Sequence, residues 1–231
     1  MRTYLILGIL LVSSISCNYS LDVKSDENSK TAEYQQLYER SMKIKDLQTA
    51  ITAIQLILLE DSSSTLRDSL PELYGAVNNL DACMATNEEA LKRNPNSEKY
   101  KNIKVLCLQQ IGDLDGQFTL LKDLFETTDK PQYLAQIAAI QIATDNLKDA
   151  NETIDLMMTK YAKSTDSLEV FVDERRKQMV PVIAAAWNMK GYIYMQQKNI
   201  SKAKDAFFAA LEIYPDFVMP KNNLEAIFAR K

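Results

Sequence analysis

Histidine is absent from this 231-residue chain. With it go the commonest general base and the commonest protein ligand for transition metals. No nucleophile–His pair can form, and neither a glycine-rich phosphate loop nor a Cys-x-x-Cys occurs. The acidic residues are scattered along what read as solvated helix faces. The expectation is a protein that is not an enzyme and uses no metal or cofactor. Glycine (5) and proline (6) are scarce, too few for an all-β chain with many tight turns. A basic footprint is also missing. The net charge is −4, and the run Arg175-Arg176-Lys177 follows Asp173-Glu174 and reads as a solvated turn. Nucleic acid, which demands cationic groups against its phosphates, is not an expected partner. What the chain has is 46% hydrophobic residues, 25% charged residues and many helix formers, a composition that folds.

The first residues read as an export signal. Met1-Arg2 supplies positive charge, residues 4–15 are apolar or small, and the chain turns polar at Asn18. The stretch is shorter than the ~20 residues a spanning helix needs. Cys17 follows Ser14-Ile15-Ser16, which resembles the lipidation signal of bacterial lipoproteins, although Ser14 stands where that family usually has Leu. The resemblance implies a signal peptide over residues 1–16, lipid attachment at Cys17 and a membrane anchor. Asn18 after the Cys points to the outer membrane. Ser14 and Ser16 also satisfy ordinary signal peptidase, which leaves a soluble secreted or periplasmic protein as the alternative. Residues 17–30, polar after the cysteine, are expected to form the anchor and a flexible tether.

Beyond residue 30 a short string recurs: Asp or Asn, then Leu or Ile, two variable residues, then usually a small one. It begins at Asp46, Asn79, Asp113, Asn146 and Asn199, so the steps are 33, 34, 33 and 53 residues. Such a string suits the start of the second helix in a helical hairpin. Asp or Asn accepts an orphan backbone N–H, Leu or Ile packs back on the first helix, and the small residue allows close approach. The last copy reads Trp187, Gly191, Tyr194, Ala203, Phe207, Ala210 and Pro215. These intervals resemble the tetratricopeptide repeat, with Lys190 departing where the family usually has Leu. A glycine inside a helix costs about 1 kcal/mol against alanine, so Gly191 is expected to serve a close contact, with Ala203 facing it.

The resemblance implies an all-α solenoid of antiparallel hairpins over residues 31–231. The repeats fall at about 31–63, 64–97, 98–130, 131–164 and 184–217, with a capping helix at 219–230. Earlier copies are degenerate. Pro71 occupies the small position of the second, so its first helix is expected to kink or start late. Gln117 takes the small position of the third. The long last step leaves about 19 surplus residues near 165–183. There, Val170-Phe171-Val172 and Met179-Val180-Pro181-Val182 flank a charged turn. This favours a small β-hairpin near 168–182 over an extension of the preceding helix, which Pro181 would break. Cys83 and Cys107 read as buried thiols, with a disulfide as the alternative that export would permit.

In the repeat family the groove lined by first helices binds peptides or partner proteins. Carried over to this sequence, the groove positions are Asn188, Tyr192 and Met195 in the last repeat. The repeat before it offers Ala135, Ala139 and Ile142, and the third offers Asn102 and Gln109. The implied role is a protein-interaction scaffold of a bacterial cell envelope. The alternative is an exported binder of a small molecule or glycan. The same side chains could instead simply pack neighbouring helices.

Overall fold

A computed structural model describes residues 23–173 and 175–229. Residues 1–16, read as an export signal, and Cys17 lie outside them. The described residues form helices and one hairpin, and they divide into two compact units at Ser69 and Leu70. In the first unit α1 (Val23–Ile44) pairs with α2 (Leu47–Glu60), and a 3-10 turn follows at Thr65–Ser69. α1 covers residues 23–30 of the expected tether. No glycine or proline interrupts the segment, so the helix extends back through it.

The second unit contains α3 (Leu70–Ala76), α4 (Leu80–Arg93), α5 (Glu98–Ile111), α6 (Leu114–Thr128), α7 (Pro131–Ala143) and α8 (Leu147–Lys160). Strands β1 (Ser167–Phe171) and β2 (Lys177–Pro181) come next, then α9 (Val182–Gln196), α10 (Ile200–Ile213) and α11 (Val218–Ala229). Consecutive helices pack as α3–α4, α5–α6, α7–α8 and α9–α10, each pair touching the next, and α11 lies on α10. This is a solenoid of helical hairpins with an antiparallel β-hairpin set between α8 and α9. α3 has only seven residues, because Pro71 suits a first helical turn and no helical interior.

All five recurrent strings open a second helix, and each turn has the same construction. The residue before the string is left-handed: Lys45, Asn78, Gly112, Asp145 and Lys198 have φ between 56° and 75°. The N–H of the following Asp or Asn reaches back five residues: Asp46 to Ser41, Asn79 to Tyr74, Asp113 to Leu108, Asn146 to Gln141 and Asn199 to Tyr194, at 2.8–3.0 Å. Each bond satisfies an end carbonyl of the first helix, as in a Schellman turn. The same side chain then caps the second helix. Asp46, Asn79, Asp113 and Asn199 accept from the backbone N–H three residues on. Asn146 departs: its amide donates to the Asp149 carboxylate instead.

Each second helix buries the positions four, eight and eleven residues after its cap. These are Ala50, Ile54 and Ile57; Cys83, Asn87 and Ala90; Gln117, Leu121 and Leu124; Ala150, Ile154 and Met157; and Ala203, Phe207 and Ala210. They form one helical stripe against the first helix. In the second repeat Cys83 Sγ donates to the carbonyl of Pro71, so these two positions do meet there. In the last repeat the nearest neighbour of Gly191 is a ring of α10. A Cβ at Gly191 would stand 2.5 Å from the Phe207 ring, so the missing side chain makes room for an aromatic ring one turn beyond Ala203. Lys190, where the family usually has Leu, reaches Asp155 of α8 at 2.6 Å and stays largely covered. Cys83 and Cys107 are free, buried and 3.3 Å apart at sulfur. Burial, then the neighbouring thiol, pushes Cys83 up to about 12.

Candidate functional site

The hairpin is folded by its own turn. The Asp173 carboxylate accepts from the backbone N–H groups of Arg175 and Arg176, both at 2.9 Å, and from Arg176 Nε at 2.6 Å. These bonds, that of Arg175 foremost, hold its carboxyl below the usual range. The register sets Leu168 against Val180 and Phe171 against Lys177. Leu168 and Val180 are buried in the core of the second unit and anchor one face of the hairpin. On the other face Lys177 pairs with Glu169 at 2.7 Å and lies 4.7 Å from the Phe171 ring centre. One side chain ties the hairpin to the far end of the unit. Gln178 Nε2 donates to the carbonyl of Asp216 at 2.8 Å, and Val218 N–H donates to Gln178 Oε1 at 3.0 Å. Both amide atoms of Gln178 are satisfied by the turn before α11.

Docked this way, β1 walls a cavity of about 630 Å³. The opposing walls come from α5 (Leu106, Gln109), α6 (Gln117, Leu121), one face of α7 (Gln132, Ala135, Gln136, Ala139, Ile140), α9 (Ala185, Asn188, Met189) and Met219 of α11. β1 contributes Leu168, Glu169, Val170 and Phe171. Five amide side chains, Gln109, Gln117, Gln132, Gln136 and Asn188, sit among apolar ones. Among the lining residues only Glu169 is ionisable, and Lys177 holds it. Amides both donate and accept, so the walls suit a ligand with paired hydrogen-bonding groups and apolar appendages, such as a peptide.

Of the residues expected to face a groove, Gln109, Ala135, Ala139 and Asn188 line this cavity, and four do not. Asn102 is taken up by a polar network between repeats: its Nδ2 donates to the Tyr133 hydroxyl at 2.9 Å, and that hydroxyl donates to Glu98 at 2.6 Å. Lys130 closes on the same carboxylate at 2.7 Å. Lys130, then Tyr133, holds the Glu98 carboxyl below its ordinary value, while burial and Glu98 push the Tyr133 phenol up to about 12. Ile142 packs on the main core, and Met195 packs on a smaller cluster of Ala203, Phe207, Leu224 and Ile227. Tyr192 is exposed and away from the cavity. The repeat signature is structural: Trp187 packs on the main core, Gly191, Ala203, Phe207 and Ala210 are buried, Tyr194 packs on the smaller cluster, and exposed Pro215 follows the end of α10.

The lining residues that were not anticipated have a recognisable basis. Gln132, Ala135, Gln136 and Ala139 follow one another at helical spacing (three, one and three residues apart) and so share one broad face of α7. The β1 residues have no counterpart in a regular repeat, and only tertiary docking brings them here. Among the described residues no helix is long and apolar enough to cross a membrane.

Comparison with known proteins agrees with this architecture. Residues 184–217, which span α9 and α10, match the tetratricopeptide repeat family. No curated protein matches the sequence. Among solved structures, YrrB, a TPR protein with an unusual peptide-binding site, is similar with a TM-score of 0.59 at 15% identity, covering 87% of this chain and 96% of its own. MamA is similar with a TM-score of 0.57 at 13% identity, covering 80% and 92%. MamA from Desulfovibrio magneticus RS-1 gives 0.57 at 10% identity, covering 80% and 94%. At these identities the likeness is one of fold.

Proposed function

We propose that this chain, which carries a tetratricopeptide repeat within a solenoid of the tetratricopeptide type, is a protein-interaction scaffold rather than an enzyme, and that the cavity beside β1 holds a peptide segment of its partner. One observation carries this reading: five amide side chains and an apolar wall converge on a space of about 630 Å³. That space suits several residues of extended peptide, and the amides match the N–H and C=O groups a peptide presents. The peptide-binding site of the structural neighbour YrrB supports the same class of ligand. The cavity would also admit a small molecule. A sugar, however, prefers aromatic platforms, and Phe171 is the one aromatic ring among the lining residues.

The setting is proposed from the N-terminal sequence: export, lipid on Cys17 and a place at the outer membrane, where the scaffold assembles envelope proteins. Metabolic labelling with a fatty acid tests the anchor, since Cys17→Ala should abolish the label. Affinity capture from membrane extract tests the scaffold. Protein partners retained by the native chain should be lost with the pair Gln136→Ala and Asn188→Ala. A bound sugar or small metabolite with no protein partner would favour the alternative ligand class.

A further inference from the structure

The two strands of the hairpin are not equivalent. Backbone bonds at both ends fix which residues of β1 face β2: Val172 N–H donates to Arg176 O, and Val182 N–H donates to Asp166 O. With the register of Leu168 against Val180, the even-numbered residues of β1 exchange main-chain bonds with β2. The N–H and C=O groups of Ser167, Glu169 and Phe171 therefore point to the opposite edge. Among the described residues no backbone bond meets them there. β1 lines the cavity and β2 does not. Consecutive residues of β1 line it, Leu168 and Val170 from one face and Glu169 and Phe171 from the other, as happens when a cavity runs along a strand edge. Phe171 and Leu106, both 59% exposed, leave apolar surface bare beside that edge.

We infer that the partner segment binds as a third strand on β1, an inference that rests on the cavity being the peptide site. An unpaired strand edge is a template for an incoming chain, and its main-chain groups supply affinity while side pockets supply choice. The charge of the walls identifies the occupant. The sole ionisable lining residue is neutralised by Lys177, so the segment is internal, extended and uncharged, with apolar residues at alternate positions and no terminal carboxylate. Gln132, Gln136 and Asn188 line the same cavity as that edge.

The test uses the full chain and a defined probe, an N-acetylated, C-amidated nonapeptide alternating Leu or Val with Thr, with affinity measured by titration calorimetry. Glu169→Pro deletes an N–H that points away from β2 and so spares the hairpin ladder. Glu169→Gln removes the charge and keeps that N–H. The expected result is binding about ten-fold weaker for Glu169→Pro than for Glu169→Gln, as loss of main-chain bonding requires. The Glu169 and Phe171 amides should also become protected from hydrogen exchange when the peptide is bound. Should Glu169→Pro disturb the hairpin, the native chain tests the same point with peptides N-methylated at alternate residues: one phase of methylation should abolish binding and the other should not. Equal binding by Glu169→Pro, with loss on Gln136→Ala and Asn188→Ala, overturns strand addition and leaves the cavity as the peptide site. Binding untouched by all these variants overturns both. No binding of the probe, or an open edge occupied by a second copy in a Glu169→Pro-sensitive dimer, overturns the inferred partner.

Discussion

In the last repeat, α9 and α10 meet where Gly191 leaves room for the Phe207 ring, with Ala203, Phe207 and Ala210 all buried in the contact. The hairpin immediately before it is held by the buried pair Leu168 and Val180 and by the two hydrogen bonds of Gln178. One region is a steric fit repeated in kind along the chain. The other is docked by a few anchors, and a two-stranded hairpin is marginal without such docking. The contrast separates scaffold from site: the fitted repeats fix where the walls stand, and the docked hairpin turns an open face into a lined cavity.

The largest effect that would sharpen this contrast lies in the fitted region. Phe207→Ala should lower stability by about 3–5 kcal/mol in urea unfolding, since the ring is fully buried. Gly191→Ala should cost about 1–3 kcal/mol through overpacking, and much of that cost should vanish in a Phe207→Leu background. Additive effects would show that the glycine serves something other than the ring. In the docked region Gln178→Ala should cost about 1–2 kcal/mol, confined to opening of β1 and β2. Hydrogen exchange should quicken at the hairpin amides and stay unchanged in α10. Uniform quickening would merge the two regions into one cooperative unit.

A smaller effect is set by pH. The Glu98 carboxyl is held below its ordinary value of 4.5 by Lys130 and Tyr133. A depressed carboxyl contributes stability above the unfolded value, and that contribution is lost as pH falls through the folded value. Glu98→Gln should therefore be less stable than the native chain at pH 7, and the gap should close in acid below 4.5, read from urea midpoints. A gap that persists in acid would assign the effect to shape rather than charge. Smallest of all, Lys198→Gly should stabilise by about 0.5 kcal/mol, because φ of 57° suits glycine better than lysine.

The repeats were legible because one residue type performs two local tasks. Asp or Asn after each first helix terminates it and, at all but Asn146, caps the next, so the strings at Asp46, Asn79, Asp113, Asn146 and Asn199 mark helix starts without reference to the rest of the fold. The hairpin was legible for a similar reason, since β-branched residues flank a charged turn and Pro181 rules out a continuous helix. The cavity was legible only in part. Gln109, Ala135, Ala139 and Asn188 follow from repeat geometry, but Asn102 was claimed by Tyr133 from the next repeat and Met195 by the cluster under α11. Tyr133, and Leu224 and Ile227 of that cluster, lie some 30 residues away in sequence, and no local pattern announces them. Gly191 shows the same limit: the need for space was readable, whereas the ring that fills it depends on how α10 rotates against α9.

Site-specific photocrosslinking measures the central claim most directly. A benzophenone side chain placed at Ala139, exposed on the cavity wall, should capture a discrete partner in membrane extract. The same group at Lys148, exposed on α8 outside the lining residues, should not. Capture from Lys148 alone, or the same product from both positions, would contradict the account.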